Sequence, residues 1–253
     1  SSLGAGVKVN VEFVSANPTG PLHAGHARGA VFGDALARLL ERVGHEVSRE
    51  FYINDRGVQM LKMGESMLAR AAGTDVPEGG YQGHYITEWA KQLPPDVVES
   101  GDVVEATEVG YRCALDDQRE VLAQLGVVFD VWFSERSLVG TGAIEQTLDD
   151  LRSRGVVDDR EGAVWLRSTE YGDDKDRVLV KSDGEYTYLL PDIAYHRDKY
   201  ARGFDLVVNV WGADHHGYVP RMQAAIQALG HGADQLEVEI IQLVKLMKDG
   251  EEV

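Results

Sequence analysis

Residues 7–13, VKVNVEF, alternate in character: Val7, Val9, Val11 and Phe13 share one face, and Lys8, Asn10 and Glu12 the other. This period of two predicts a strand ending near Ser15. From His26 to Val43 the period becomes helical, with Ala27, Ala30, Val31, Ala35, Leu36, Leu39, Leu40 and Val43 recurring on one side. Gly44 is a suitable stop. EVSREFYI then alternates again. Strand, helix and strand over about 50 residues make a βαβ unit, which implies a parallel pair and a right-handed crossover.

The segment 58–72, VQMLKMGESMLARAA, reads as a second helix. Between Gly73 and about Pro95, glycine, proline and aromatics are dense and periodicity fades. Helical spacing returns at about 104–125 and at 141–154. GVVDDREGAVWLRS and RVLVKSDGEYTYLL each read as strand, turn, strand, with Asp183-Gly184 as a hairpin turn. DIAYHRDKYARG reads as a helix, DLVVNVWG as a buried strand, GYVPRMQAAIQALG as a helix and VEIIQLVKLM as a last strand, with KDGEE starting a turn. The sum predicts an α/β fold: a doubly wound parallel sheet with an inserted, mostly helical segment. Residues 1–72 form its first half, 73–135 the insertion and 136–253 the second half.

Composition narrows the classes. The chain has 253 residues, 43% of them hydrophobic, which is enough for a sizeable core. No run of 18 apolar residues is present, so no membrane helix is expected. The start, SSLGAGVKVN, lacks a basic-then-apolar signal pattern, and its closeness to a strand suggests a piece of something longer. A single cysteine, Cys113, excludes an internal disulfide and a multi-cysteine zinc site, and points to a reduced, cytoplasmic setting. Within a helical pattern Cys113 reads as core rather than nucleophile. The formal charge of −17 disfavours a broad basic surface for nucleic acid but leaves a local patch open.

Candidate chemistry concentrates in residues 15–30, SANPTGPLHAGHARGA. Asn17, Pro18, Gly20 and Pro21 keep the backbone out of helix until about His23. The segment follows a strand and opens a helix, whose first N–H groups and partial positive charge suit an anion such as phosphate. His23 and His26 stand three apart on the first turn, and Gly25 leaves the backbone open to a flat ring. Such histidines stabilise charge that builds in a transition state. Two exposed loop histidines, or a metal pair, are the alternatives. Asp214-His215-His216 is the other dense metal-like cluster, and no zinc is expected.

The H-A-G-H quartet in this setting resembles the first signature of class I aminoacyl-tRNA synthetases. VEFVSANPTGPLHAGHARGAVFGDALARLLERVGHEV with YINDRGVQ, YTYLLPDIAYHRDKY, and VWGADHHGYVPRMQAAIQALG together resemble arginyl-tRNA synthetase, in the same order and across nearly the whole chain. The resemblance implies a nucleotide-binding catalytic domain that joins arginine to ATP, giving arginyl-adenylate and pyrophosphate, and then charges tRNA. It implies His23 and His26 as the catalytic pair. Gly25 would lie under the adenine, and Gly212 and Asp214 would read the ribose. Glu12, Asn17, Tyr188 and Asp192 would hold arginine, with His215 a further candidate where relatives often carry glutamine. Asn54, Asp55 and Gly57 would form a structural turn. ATP is implied as substrate with Mg2+, and tRNA(Arg) as a partner largely through domains outside this chain. No membrane and a monomer are expected.

Each residue also has a plainer reading: a solvated strand position for Glu12, hairpin core for Tyr188, a helix N-cap for Asp192 and a strand-to-helix turn at Gly212. The family's second signature, a lysine-rich K-M-S-K loop, would begin where the chain stops at KLMKDGEEV, and Lys245 and Lys248 are out of frame for it. Some relatives carry a substitute lysine just before the first signature's proline, where this chain has Gly20. A fragment without that loop and the anticodon-binding domain is expected to bind weakly and catalyse poorly. The rival readings are a sister synthetase for another amino acid and a synthetase-like paralogue that only binds or regulates.

Overall fold

The computed structural model describes residues 3–242, 247–248 and 251–252. In chain order its elements are β1 (Lys8–Glu12), α1 (Ala24–Arg42), β2 (Glu46–Ile53), α2 (Val58–Ala71), α3 (His84–Ala90), α4 (Pro95–Ser100), α5 (Val103–Gln124), β3 (Val131–Ser134), α6 (Arg136–Gly140), α7 (Ala143–Ser153), β4 (Val157–Arg160), β5 (Ala163–Leu166), β6 (Arg177–Val180), α8 (Leu189–Ala201), β7 (Leu206–Gly212), α9 (Val219–Ala228), β8 (Leu236–Ile241), β9 (Met247–Lys248) and β10 (Glu251–Glu252). They fall into two compact units. The first comprises Ser1–Val14, Arg28–Tyr52 and Phe129–Val253, and the second Ser15–Ala27 and Ile53–Val128. The second unit thus holds residues 73–128 of the expected insertion together with α2 and the segment before α1, whereas residues 129–135, with β3, fall in the first unit.

The first unit carries a five-stranded sheet in the order β3-β2-β1-β7-β8. β1 pairs parallel with β2 and with β7, and β7 pairs parallel with β8. This is the doubly wound α/β arrangement read from the sequence. Strand order reverses between β1 and β7, and ligands of such sheets sit beyond the carboxyl ends at that point. Glu12 ends β1 and lies in register with Asn209 of β7. The plainer reading of Glu12 as a solvated strand position is corrected by the structure. Val9, Asn10, Val11 and Glu12 are all buried, because β1 is central and covered on both faces. A core runs through Leu151, Leu166, Leu190, Ile193, Val207 and Met222. Gly33 of α1 meets the Phe13 ring so closely that any Cβ there would overlap it.

A smaller sheet in the same unit orders β4-β5-β6, antiparallel throughout. The first predicted hairpin is β4–β5. The second is only partly formed: β6 is a strand, but its return arm reduces to one bridge, Val180 to Tyr186, because α8 already starts at Leu189. The last strand of the sheet ends at Ile241. Residues 243–246, including Lys245, lie outside the described residues, and β9 and β10 pair antiparallel beyond them.

The second unit is helical. Met60, Met63 and Met67 of α2 join Ile86 and Trp89 of α3 and Val109 of α5 in its core. α2 and α5 cross closely at Gly64, where a Cβ would lie 2.9 Å from the backbone nitrogen of Thr107. The stretch where periodicity faded contains the short helix α3, and α4 begins at its end. Gly57, at φ 86°, makes the turn into α2 that Asn54 and Asp55 lead up to.

Candidate active site

In the second unit, His23 immediately precedes α1 and His26 is its third residue. The backbone N–H of Gly25 donates to His23 Nδ1 at 3.1 Å, and that of His23 donates to His26 Nδ1 at 3.1 Å. This is a reciprocal cap: the residue before the helix and the third residue each accept from backbone donors that the helix leaves unpaired, here with imidazoles in place of serine and glutamate. The spacing of three follows from that geometry. Both Nδ1 atoms accept, so each neutral ring carries its proton on Nε2. The rings stack with centroids 3.8 Å apart and 28° between planes. Burial, and then the neighbouring His23, pull the His26 pKa down to about 4, so His26 is an uncharged N–H donor at neutral pH. The imidazole of His23 lies against Gly25, its Cε1 2.9 Å from where a Cβ would sit.

The loop before α1 is gripped from within the same unit. Gln118 of α5 is fully buried, and its Nε2 donates to the carbonyls of Asn17 at 3.0 Å and Gly20 at 3.1 Å. Tyr85 of α3 donates from its hydroxyl to the Thr19 carbonyl at 3.1 Å. The same hydroxyl lies 3.1 Å from where a Cβ on Gly20 would project, so a side chain there has little room. Asn17 itself is exposed.

In the first unit a polar network fills the space between β1, β7 and α8. Lys199 is fully buried, and its Nζ lies 2.5 Å from Glu12 Oε2 and donates to Asn209 Oδ1 at 3.1 Å. Asn209 Nδ2 is 2.8 Å from His196 Nε2, and His196 Nδ1 is 2.8 Å from the Asp192 carbonyl. A carbonyl only accepts, so His196 carries its proton on Nδ1 and Nε2 accepts from Asn209. Burial, then Lys199, hold the His196 pKa at about 3, in keeping with that neutral ring. Asp192, Tyr195, His196 and Lys199 stand at i, i+3, i+4 and i+7, a polar row on α8 beside the apolar one of Leu190, Ile193 and Ala194. Behind it Glu50 accepts from Asn10, Tyr195 and both terminal nitrogens of Arg202.

Asp192 accepts from the Tyr218 hydroxyl at 2.6 Å, and among the described residues no cation pairs with it. Burial pushes its pKa up to about 7 against that hydrogen bond, and the charges of Glu12 and Glu135 add to the rise. The plainer readings of three residues fail. Asp192 is not the N-cap of α8: the helix starts at Leu189, and Asp192 N–H already donates to the Tyr188 carbonyl. Glu12 is not solvated. Tyr188 is not core; its ring is 90% exposed at the head of α8.

Gly212 ends β7, and Asp214 folds back so that a Cβ on Gly212 would meet Asp214 Oδ1 at 2.5 Å. Asp214 and His215 lie in a single 3-10 turn, 3.3 Å apart and both exposed. Among the described residues no group of three or more His, Cys, Asp or Glu side chains could hold a metal ion, and no helix is long and apolar enough to cross a membrane. Cys113 is half-buried, and burial raises its thiol pKa, which disfavours a thiolate nucleophile. Sequence reading missed Lys199, His196, Asn209, Tyr218 and Gln118. The first two had a signal, in polar residues at helical spacing opposite a buried strand.

The sheet reversal at β1 and β7 defines a doubly wound α/β domain. A family model described as tRNA synthetases class I (R), catalytic domain, matches residues 2–72 and 99–253, and the chain belongs to that family. An arginine–tRNA ligase of Geobacillus thermodenitrificans (strain NG80-2) is 54% identical over 265 residues, covering 100% of this chain and 48% of the relative. The chain spans about half the length of the curated relatives it matches. A crystal structure from Campylobacter jejuni, assigned as an arginyl-tRNA synthetase, superposes with a TM-score of 0.90 at 40% identity, covering 99% of this chain and 57% of that one. The Thermus thermophilus arginyl-tRNA synthetase, at 23% identity, a TM-score of 0.74 and coverage of 94% and 49%, shares the fold.

Proposed function

We propose that this chain is the catalytic part of an arginine–tRNA ligase. Arginine is selected by its guanidinium, a permanent cation with a planar fork of donors that a carboxylate matches. The observation that carries the reading is Asp192, a closely surrounded carboxyl with no cation among its described partners, held near pH 7 in its titration. A bound guanidinium would supply that charge. Tyr188, four residues before Asp192 and exposed, is available to close over the guest, and Glu12, Asn17 and His215 are the remaining candidates for arginine.

The arginine carboxylate attacks the α-phosphorus of ATP, the bond to the β-phosphate oxygen breaks, and pyrophosphate leaves. His23 and His26, each with a proton on Nε2, donate to phosphate oxygens as charge gathers in the five-coordinate state. Gly25, Gly212 and Asp214 are assigned to the nucleoside, and ATP brings Mg2+ on its phosphates as part of the substrate. A hydroxyl of the terminal adenosine of tRNA(Arg) then attacks the activated carbonyl and AMP leaves. A cytoplasmic setting and a monomer accompany this reading.

The test is arginine-dependent ATP–pyrophosphate exchange, with tRNA(Arg) present, on the polypeptide extended past Val253. Arginine should support exchange far better than lysine or cysteine. Preference for either of those would make the chain a sister synthetase, and tRNA binding without exchange a regulatory paralogue.

A further inference from the structure

We propose that Lys199 is a positioning and specificity-determining residue: it neutralises and orients Glu12, leaving Asp192 as the acid that selects a singly charged guest. This rests on the arginine reading above.

The geometry is closed on every side. Lys199 is fully buried, 2.5 Å from Glu12 Oε2, 3.1 Å from Asn209 Oδ1, and 4.3 Å above the centre of the Tyr195 ring. All three partners are protein groups on β1, β7 and α8, so no part of the ammonium group is presented as a cation to a phosphate. Burying a charged pair is costly, and a carboxylate in a sheet core is more simply replaced by an apolar residue. The pair makes chemical sense if Glu12 must stay ionised and fixed in one rotamer at the strand end where ligands bind. Asn209 is itself fixed by His196, and His196 by the Asp192 carbonyl, so the orientation of Glu12 is tied to the backbone that carries Asp192.

Charge counting supplies the selectivity. Two neighbouring carboxylates without a cation share a proton and divide their charge. With Lys199 assigned to Glu12, the pair sums to zero. One negative charge, that of Asp192, then remains to be matched. A guanidinium balances it, whereas a neutral side chain leaves it unpaired.

The experiment is a double-mutant cycle on the extended, tRNA-supplied enzyme, with Lys199→Met, Glu12→Gln, both together, and Lys199→Arg. Fold is checked by circular dichroism and melting. Lys199→Met should raise the arginine KM by on the order of tenfold or more while the ATP KM stays close to that of wild type. Lys199→Arg should recover most of the loss. The double variant should be no worse than the worse single one, because Lys199 acts through Glu12. If Lys199→Met does not fold, the neutral pair Glu12→Gln/Lys199→Met is compared with Glu12→Gln alone, and equal arginine KM values support the proposal. A folded Lys199→Met with an unchanged arginine KM overturns it, as do losses that multiply in the double variant. Wild-type enzyme that exchanges with another amino acid but not with arginine overturns the functional reading, and this inference with it.

Discussion

The imidazoles of His23 and His26 lie stacked 3.8 Å apart, and each accepts a backbone N–H through Nδ1. The same two rings thus cap α1 and hold out their Nε2 protons, so structural and chemical roles can be separated by choice of substituent. Glutamine at position 26 keeps an acceptor at the third helical residue but loses the ring. His26→Gln should melt close to wild type and lose roughly 10²-fold in kcat, with a smaller change in KM. His26→Ala should show the same kinetic loss plus about 1 kcal/mol of stability. Wild-type kcat in His26→Gln would reduce this histidine to a cap.

His26 also has a signature in stability against pH. Its folded pKa, about 4, lies below the ordinary 6.5, so the fold favours the neutral ring. The contribution is full above 6.5 and is lost as pH falls from there to about 4. Melting followed between pH 8 and 4 should therefore decline less steeply in His26→Gln than in wild type. Parallel curves would count against the cap described here.

The Asp192–Tyr218 contact gives a titration of opposite sense. Asp192 binds a guanidinium only when ionised, so the arginine KM should fall as pH rises through about 7. Its folded pKa is raised above the unfolded value near 3.8, so it subtracts stability as pH climbs from about 3.8 to about 7. Asp192→Asn should accordingly melt higher than wild type at pH 8, while its arginine KM rises by roughly 10- to 100-fold. An arginine KM that is flat in pH, in wild type, would remove Asp192 from recognition.

Much of this fold was legible because β1, α1 and β2 switch cleanly between periods of two and 3.6. What was not legible has identifiable causes. β1 carries Asn10 and Glu12 on a face that looks solvated in sequence yet is buried, since Lys199 and Glu50 compensate them from distant parts of the chain. α3 and α4 span seven and six residues, too few for a hydrophobic period to show. α8 buries a polar row, Tyr195, His196 and Lys199, beside its apolar one, and a search for apolar stripes passes over it. Tyr218 and Gln118 act on Asp192 and Asn17 from 26 and 101 residues away, a pairing that only the folded chain reveals. The histidine pair itself was legible as a constellation, but its capping role was not.

Gly25 offers a sharper probe of the rings. Alanine there would gain roughly 1 kcal/mol of helix propensity. Its Cβ, however, would come within 2.9 Å of His23 Cε1 and push that ring off its stack. Gly25→Ala should thus retain its melting temperature or gain slightly, yet lose activity by roughly tenfold or more, chiefly in kcat. Equal activity would mean that the His23 ring can move without consequence.

Gln118 tests whether the helical unit serves the chemistry or only the fold. Its Nε2 donates to the carbonyls of both Asn17 and Gly20, at the two ends of the turn that feeds His23. Its Oε1 is buried without a partner among the described residues, an arrangement that costs stability and is tolerated where the donor matters more. Methionine matches its length and removes both hydrogen-bonding ends. Gln118→Met should lose only about 1–3 kcal/mol, since one unsatisfied acceptor disappears along with the two donated bonds. The freed turn should carry His23 and His26 through a wider range of positions, lowering kcat several-fold and raising the ATP KM. Tyr85→Phe, which removes the neighbouring bond to the Thr19 carbonyl, should act in the same direction and more weakly. Steady-state exchange measured well below both melting temperatures separates the alternatives: a shift in melting with unaltered kcat and ATP KM would make Gln118 a support of the fold alone.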